Sequence, residues 1–496
     1  MLKKPGKHIL SKSTFIRGYQ CPKSLYLYKH FPNLRDEITE QQQAVFERGT
    51  SVGELARKLF PGGVDASPDT PFLYQQSVAY TKRLIDEGVK IIYEATFQYD
   101  GVLAAIDILV SKNGKWKAYE VKSSTDVKEV NLVDAALQYY VITNSGIKLQ
   151  DISIIHINNE YVRKGKINLK QLFTAESVLD EVLEQQEFVE VKIVELKKII
   201  NAKAIPKMDI GPHCSDPYDC DFMGHCWTHI PEVSVFNLAR LSGSRKFEFY
   251  QKGIIELKDI PDDYNLTEGQ QMQIAGCLKN KSFIAKNEIR EFISKLNYPV
   301  LHLDFESFQT AVPMFDGTRP YQQVPFQYSL HQKKHPKEAA THSEFLAEAN
   351  QHDPRIELIE SLLAATAGKG TILAYNKAFE IGCLNNIAKA FPKYRKEIEK
   401  RIARIADLMV PFQKRWYYAP AMNGSYSIKA VLPALFPDLS YDSLAIADGS
   451  TASLAFVSLY KNPDNEEVQR IRRALIAYCK MDTLAMVRLL EFLEGV

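Results

Sequence analysis

Asp304 and Glu306 sit two positions apart inside the apolar run VLHLDFESF. Alternate residues of a strand share one face, so a strand here presents both carboxylates to the same point. Far downstream, Tyr478 and Asp482 sit four apart in ALIAYCKMDTLAMVRLLEFL, a spacing that a helix places on one side. Between them lies ILAYNKAFEIGCL, in which Glu380 follows Asn376 by one helical turn and adds an acid from a third element. Carboxylates gathered in this way repel one another unless cations join them. A fold for the carboxy-terminal part therefore has to bring a strand and two helices together around positive charge.

At 496 residues the chain is too long for one ordinary core, and two or three domains are expected. The 62 basic and 60 acidic residues leave a net charge of +2, so any contact with phosphates has to come from local patches. The first fifteen residues, MLKKPGKHILSKSTF, are basic with no apolar stretch long enough for a signal peptide, and no run of eighteen apolar residues occurs anywhere. The expectation is a cytoplasmic protein with no membrane segment. Seven cysteines, an odd number in a large chain, point to thiols or metal ligands over a disulfide framework.

Helical periodicity dominates to about residue 90, with QQQAVFERGTSVGELARKLF ending at Pro61-Gly62-Gly63. The segments KIIYEATFQYD, GVLAAIDILVSKNG and KWKAYEVKSS read as a strand meander turned at Asp-Gly and Asn-Gly. A helix over about 129–145, the strand DISIIHIN and a long charged helix over about 172–202 follow. Residues 229–297 read as a mainly helical connector, and from Tyr298 onward strands precede helices in an α/β pattern. The fragment TAGKGT lacks the first glycine of a phosphate loop, so no ATP-driven motor is encoded. The segment QKRWYYAPAMNGSYSIKAVLPALF suits base stacking, but filling a large core is the simpler role for its aromatic residues.

The meander carries chemistry of its own. Asp107 ends LAAID, and Glu120-Val121-Lys122 follows after a hairpin, with Glu120 and Lys122 on one strand face and Val121 on the other. Asp107, Glu120 and the Val121 carbonyl suit a divalent cation, and Lys122 suits orienting or deprotonating a water. Glu94, on the preceding strand, offers a further carboxylate, with an exposed strand residue as the plainer reading. Cys214, Cys220 and Cys226 recur at every sixth position in HCSDPYDCDFMGHC, and Cys21 stands alone in FIRGYQCPKSLYLY. Iron–sulfur ligation, a zinc site that draws on His213 or His225, and free thiols are all open on spacing alone. Cys277, Cys383 and Cys479 lie singly in apolar helical surroundings and read as core.

One early and three late cysteines bracketing D…ExK resemble the iron–sulfur RecB-like PD-(D/E)XK nucleases, which include CRISPR-adaptation and AddB-type enzymes. The resemblance covers roughly residues 9–228 and implies a 4Fe-4S cluster on Cys21, Cys214, Cys220 and Cys226. It also implies a catalytic Gln138 on the helix after Lys122, with Tyr139 or Tyr140 beside it. The chain departs from that family at Gly53, where many members place a histidine ligand. Residues 298–496 resemble the DEDD-type 3′–5′ exonucleases, with a ribonuclease H-like fold, in the variant with a tyrosine four before the last aspartate. That resemblance implies Mg2+ or Mn2+ on Asp304, Glu306, Glu380 and Asp482, with Tyr478 orienting the attacking water. Glu380 stands where that family has aspartate, while Asp407 reads as structural.

The expected fold class is thus multidomain α/β: a restriction-endonuclease-like core over 1–228, a connector over 229–297 and a ribonuclease H-like domain over 298–496. The expected function is metal-dependent phosphodiester hydrolysis, with DNA as the favoured partner and RNA as an alternative. A nucleic-acid-binding scaffold with decayed centres is the rival from another class. Protein partners are not legible.

Overall fold

The computed structural model describes residues 9–70, 73–349, 352–441, 443–461 and 464–496. Of the basic amino-terminal stretch read above, residues 1–8 lie outside the described residues. The chain is mixed α/β and divides into two compact units. One comprises Met1–His229 and Thr310–Tyr321, the other Ile230–Gln309 and Gln322–Val496. Among the described residues no helix is long and apolar enough to cross a membrane.

The first unit is built on a seven-stranded sheet. Its centre is the antiparallel meander Ile91–Tyr99, Val102–Lys112 and Lys115–Val121. Both turns have the left-handed backbone that two-residue hairpins require: Asp100 and Gly101 at φ of 44° and 69°, Asn113 and Gly114 at 53° and 75°. The helix Glu129–Asn144 then crosses to Leu149–Ile157, which runs parallel to Lys115–Val121. That helix buries Val133, Ala136, Leu137 and Val141 in the main core.

The expected single helix over 172–202 is broken. Phe173–Ser177 is a strand that pairs antiparallel with Leu149–Ile157, and the long helix is confined to Gln186–Ile200. Edge pairing decides this: Leu172 and Phe173 drop into a second apolar cluster with Ile155 and Ile157, which a continuous helix would forfeit.

The same cluster takes in a piece of chain from far downstream. Ala311 is buried in it, and Val312 and Tyr321 pack against it. Arg163 donates to the carbonyls of Pro313 and Met314, and the Tyr321 hydroxyl donates to the carbonyl of Ser123, next to Lys122.

The second unit contains a five-stranded sheet ordered Thr341–Leu346, Val324–Lys333, Val300–Phe308, Thr371–Ala374, Ile405–Asp407. The first three are antiparallel, each to its neighbour, and the last two run parallel to Val300–Phe308. One face packs Leu301, Leu303 and Phe305 against Leu358, Ile359 and Leu362 of the helix Pro354–Ala365. The other face meets the helix Asn465–Glu494: Gln327 donates to the Leu475 carbonyl, and Ser329 and His331 both bond the Thr483 hydroxyl. The expected connector is part of this unit. Its helix Lys286–Ser294 buries Ile289 in a core shared with Met486, Leu489 and Leu490. The aromatic segment fills core as expected, with Tyr417 and Tyr418 6% and 1% exposed.

Candidate functional site

In the first unit, register alone makes an acidic row. Glu94 lies between the cross-strand pairs Tyr93↔Ile108 and Ala95↔Ile106, which sets it opposite Asp107. Asp107 and Glu120 stand one step beyond the pair Ile108↔Tyr119, so three adjacent strands carry one carboxylate each in line. Glu94 is therefore not a plain exposed strand residue. It bonds Arg57 at 2.8 Å, and burial pushes its carboxyl up against the pull of Arg57. Burial, then the Glu120 charge, pushes Asp107 up to about 8, although the Val121 N–H donates to it at 2.6 Å.

Glu120 behaves in the opposite sense. Burial alone would raise it, but Lys12 at 2.7 Å and Lys122 at 2.8 Å outweigh that and bring it to about 2. Lys122 also bonds Asp134 at 2.7 Å, and the Gln138 amide spans Glu120 at 3.0 Å and Asp134 at 3.3 Å. The structure thus brings Asp107, Glu120, Val121, Lys122 and Gln138 together. The side-chain oxygen of Gln138 is a buried acceptor without a protein partner, which suits a cation or an ordered water. Lys12, Arg57 and Asp134 join the site without any signal in the sequence. Tyr140 pairs with Tyr99 at 5.8 Å and Tyr139 packs against the main core, so neither joins Gln138. At Gly53 an added side chain would meet nothing within 4 Å.

Cys21, Cys214, Cys220 and Cys226 line one cleft together with Lys23, Met208 and His213. Cys21 caps the helix Pro22–His30 with its sulfur, and burial raises its thiol to about 11. The cleft is clamped without help from the thiols. Asp221 accepts from Arg17 and Arg35, Gln20 donates to the carbonyls of His213 and Tyr218, and Gly224 donates to Asp36. A single tetrahedral zinc, with sulfur about 2.3 Å away, holds its sulfurs roughly 3.8 Å apart. Among the described residues no three of these four thiols have their sulfurs all within 4.8 Å of one another.

In the second unit, Asp304 and Glu306 share the sheet face that meets the carboxy-terminal helix, as their spacing predicts. Tyr478 and Asp482 come from that helix, and Glu380 from the first turn of Lys377–Ala390. Asp407 proves structural: it accepts from the N–H groups of Asn376 and Lys377 at 3.0 and 3.2 Å and so anchors the start of the helix that carries Glu380.

Burial, then Asp482, Glu306 and Glu380, hold Asp304 well above the usual carboxylate range. Glu306 is likewise well above it through burial and Asp482, and burial lifts Glu380 to about 8. Asp482 rises only to about 6, because Tyr441 donates to it at 2.6 Å and Lys429 and Tyr478 assist. Glu380 is 1% exposed, and its Oε2 has no partner. Four carboxylates with one nearby lysine form a donor set of hard oxygens that fits Mg2+ or Mn2+. Tyr441 and Lys429 are not legible in the sequence. Cys479 is buried as expected, but its sulfur faces the Asp304 carboxylate at 3.6 Å, so it belongs to the site and not merely to the core.

Beside the carboxylates, His302, His331 and His342 occupy one row across three strands. Burial lowers His302 to about 3 and His331 to about 4, from an ordinary 6.5. Their contribution to stability is complete above that ordinary value and is lost as pH falls toward the folded values. The neighbouring raised carboxyls shift stability the other way over the same range, so the imidazoles are read by difference. Between pH 7 and pH 5 the unfolding midpoint of the parent, followed by circular dichroism, should fall more or rise less than that of His302→Gln, and an equal change in both would remove His302 from the core's energetics.

Residues 301–427 match a protein-family model described as "Domain of unknown function (DUF2779)". The match holds Asp304, Glu306, Glu380 and Asp407 and ends ahead of Lys429, Tyr478 and Asp482. The chain is 23% identical over 233 residues to "Uncharacterized protein MG366" of Mycoplasma genitalium, covering 43% of this chain and 35% of that one. It is 26% identical over 229 residues to "Uncharacterized protein UU173" of Ureaplasma parvum serovar 3, covering 41% and 32%. The aligned stretch thus spans about a third of these relatives' lengths.

Proposed function

We propose that the chain is a metal-dependent nuclease with two hydrolytic centres and a 4Fe-4S cluster, acting on DNA that is single-stranded or ended. The observation that carries this reading is the convergence of Asp304, Glu306, Glu380 and Asp482 from a strand and two helices into a buried cluster short of positive charge. The sheet order supports a ribonuclease H-like reading: three antiparallel strands, then two parallel ones on the far side of Val300–Phe308. The meander, crossing helix and parallel strand of the first unit support the restriction-endonuclease-like reading in the same way. The gathering of all four cysteines at one cleft supports the cluster reading. End processing in repair, recombination or defence follows from the family resemblance.

When bound, Mg2+ or Mn2+ supplies Lewis acidity toward the attacking water and the leaving oxygen. The chain supplies the rest. At the second centre Asp304, Glu306, Glu380 and Asp482 would hold the ions. The Tyr478 hydroxyl, which bonds Asp482, aims the water at phosphorus. Lys429 lies 5.3 Å over the Tyr478 ring and offsets charge on Glu306 and Asp482. At the first centre Asp107 and Glu120 would hold the ion and Lys122 orients the water, with Glu120 and Asp134 fixing its ammonium and the Gln138 amide bracing both of those carboxylates.

Metal-dependent degradation of matched DNA and RNA oligonucleotides tests this directly. Lys122→Ala is expected to remove one activity and Asp482→Ala the other, each by at least about a thousandfold, the scale of losing a group that orients water or holds a metal. Tyr478→Phe should lose less, about tenfold to a hundredfold, while binding metal as before. Only the double variant should be inert. Residual shortening in the double variant would mean that a centre is misplaced, and degradation of RNA alone would reassign the substrate.

A further inference from the structure

The second centre holds one ligand that a site built only for Mg2+ has no use for. Cys479 Sγ lies 3.6 Å from Asp304 Oδ2, and Asp304, Glu306 and Cys479 each offer a ligand atom within 4.8 Å of the other two. Among the described residues this is the only such trio of acidic, cysteine or histidine groups. A sulfur and an oxygen bound to one tetrahedral zinc-like ion, at about 2.3 and 2.1 Å, stand roughly 3.6 Å apart. The thiol and carboxylate already have that separation. A second observation points to the same place independently: Glu380 Oε2 is buried with no partner, and the Glu380 charge reaches both Asp304 and Glu306.

We infer that Asp304, Glu306 and Cys479 form a mixed oxygen–sulfur site for a thiophilic divalent cation of the zinc class. On binding, the Cys479 S–H bond breaks, its proton leaves to solvent, and the sulfur's electron pair forms the bond to the ion. Soft sulfur adds affinity for Zn2+ or Cd2+ that Mg2+ and Mn2+ cannot draw on. Because the same carboxylates serve both, a thiophilic ion seated here excludes the catalytic ones and holds the second centre off. The inference rests on reading these carboxylates as a cation site and does not require that site to cut DNA.

Cd2+ added anaerobically to the full chain tests it, read by the ultraviolet thiolate-to-cadmium charge-transfer band. The cysteine cleft contributes equally to all samples and cancels on comparing parent with variant. The parent is expected to take up one more equivalent of band-forming Cd2+ than Cys479→Ser, and Asp304→Asn should weaken that equivalent at least tenfold. Cys383→Ser, one turn from Glu380 on the neighbouring helix, should keep it. An unchanged band in Cys479→Ser overturns the inference, as does loss of the equivalent in Cys383→Ser. So does full retention in Asp304→Asn, because the thiol would then bind alone. Should Cys479→Ser fail to fold, Asp304→Asn and Glu306→Gln carry the same decision. A band without Mg2+-dependent DNA shortening would remove the nuclease reading and leave this one standing.

Discussion

Asp304→Asn is expected to abolish stepwise 3′–5′ shortening of a labelled strand and, at the same time, to make the cation-free protein more stable. The two effects have one cause. Asp304 is held well above its ordinary value by burial and by three neighbouring carboxylates. A carboxyl raised by folding leaves stability intact at low pH and removes it as pH rises toward the folded value, at about 1.4 kcal/mol for each pH unit climbed above the ordinary value. Without cations the second unit is therefore destabilised at neutral pH, and an amide at position 304 relieves it. The gain should grow with pH, being smaller at pH 5 than at pH 8, and is read as a rise in the unfolding midpoint of the variant over the parent. Mg2+ or Mn2+ should stabilise the parent and close the gap. If the variant is no more stable than the parent at pH 8 without cations, the cluster is an ordinary set of acids and the proposed centre falls.

The second large effect is expected at Cys21. Anaerobically purified parent protein should be brown and carry about four irons per chain, and Cys21→Ala should lose both. Cys21 precedes Cys214 by about 190 residues, and a cross-link over a loop of that length is worth roughly 5 kcal/mol in the chain-entropy account. The first unit of the variant should unfold correspondingly earlier. The clamp of Arg17, Arg35 and Asp221 is untouched by the substitution, so the cleft should persist as a weaker closure. Stoichiometric zinc without iron in the parent would overturn the cluster.

The contrast between the two centres is only partly legible in the sequence. Periodicity places Asp304 with Glu306 and Tyr478 with Asp482, because a strand and a long helix each carry their own register. The row of Glu94, Asp107 and Glu120 is legible too, from the turns. Six residues back from Asp100 is Glu94 and six on from Gly101 is Asp107, while six back from Asn113 is again Asp107 and six on from Gly114 is Glu120. Two-residue turns fix that count. Lys12, Lys429 and Tyr441 are not legible, since Lys12 and Tyr441 are placed by contacts more than forty residues away and Lys429 by a bond to the Ala447 carbonyl that no local pattern announces. Phe173–Ser177 reads as helix in the sequence because its neighbours are helical, and only a distant partner strand makes it extended.

The segment Thr310–Tyr321 bears on how this chain can be cut. Twelve residues that belong to the first unit's own core are encoded between Gln309 and Gln322, inside the stretch that builds the other unit. A fragment ending at His229 should therefore expose the apolar surface around Val52, Tyr161 and Leu172 that Ala311 covers, and aggregate or resist expression. Supplying the twelve residues as a peptide, or grafting them to the fragment's end, should rescue it. The two units are interleaved along the chain, and no single break in a gene could divide them.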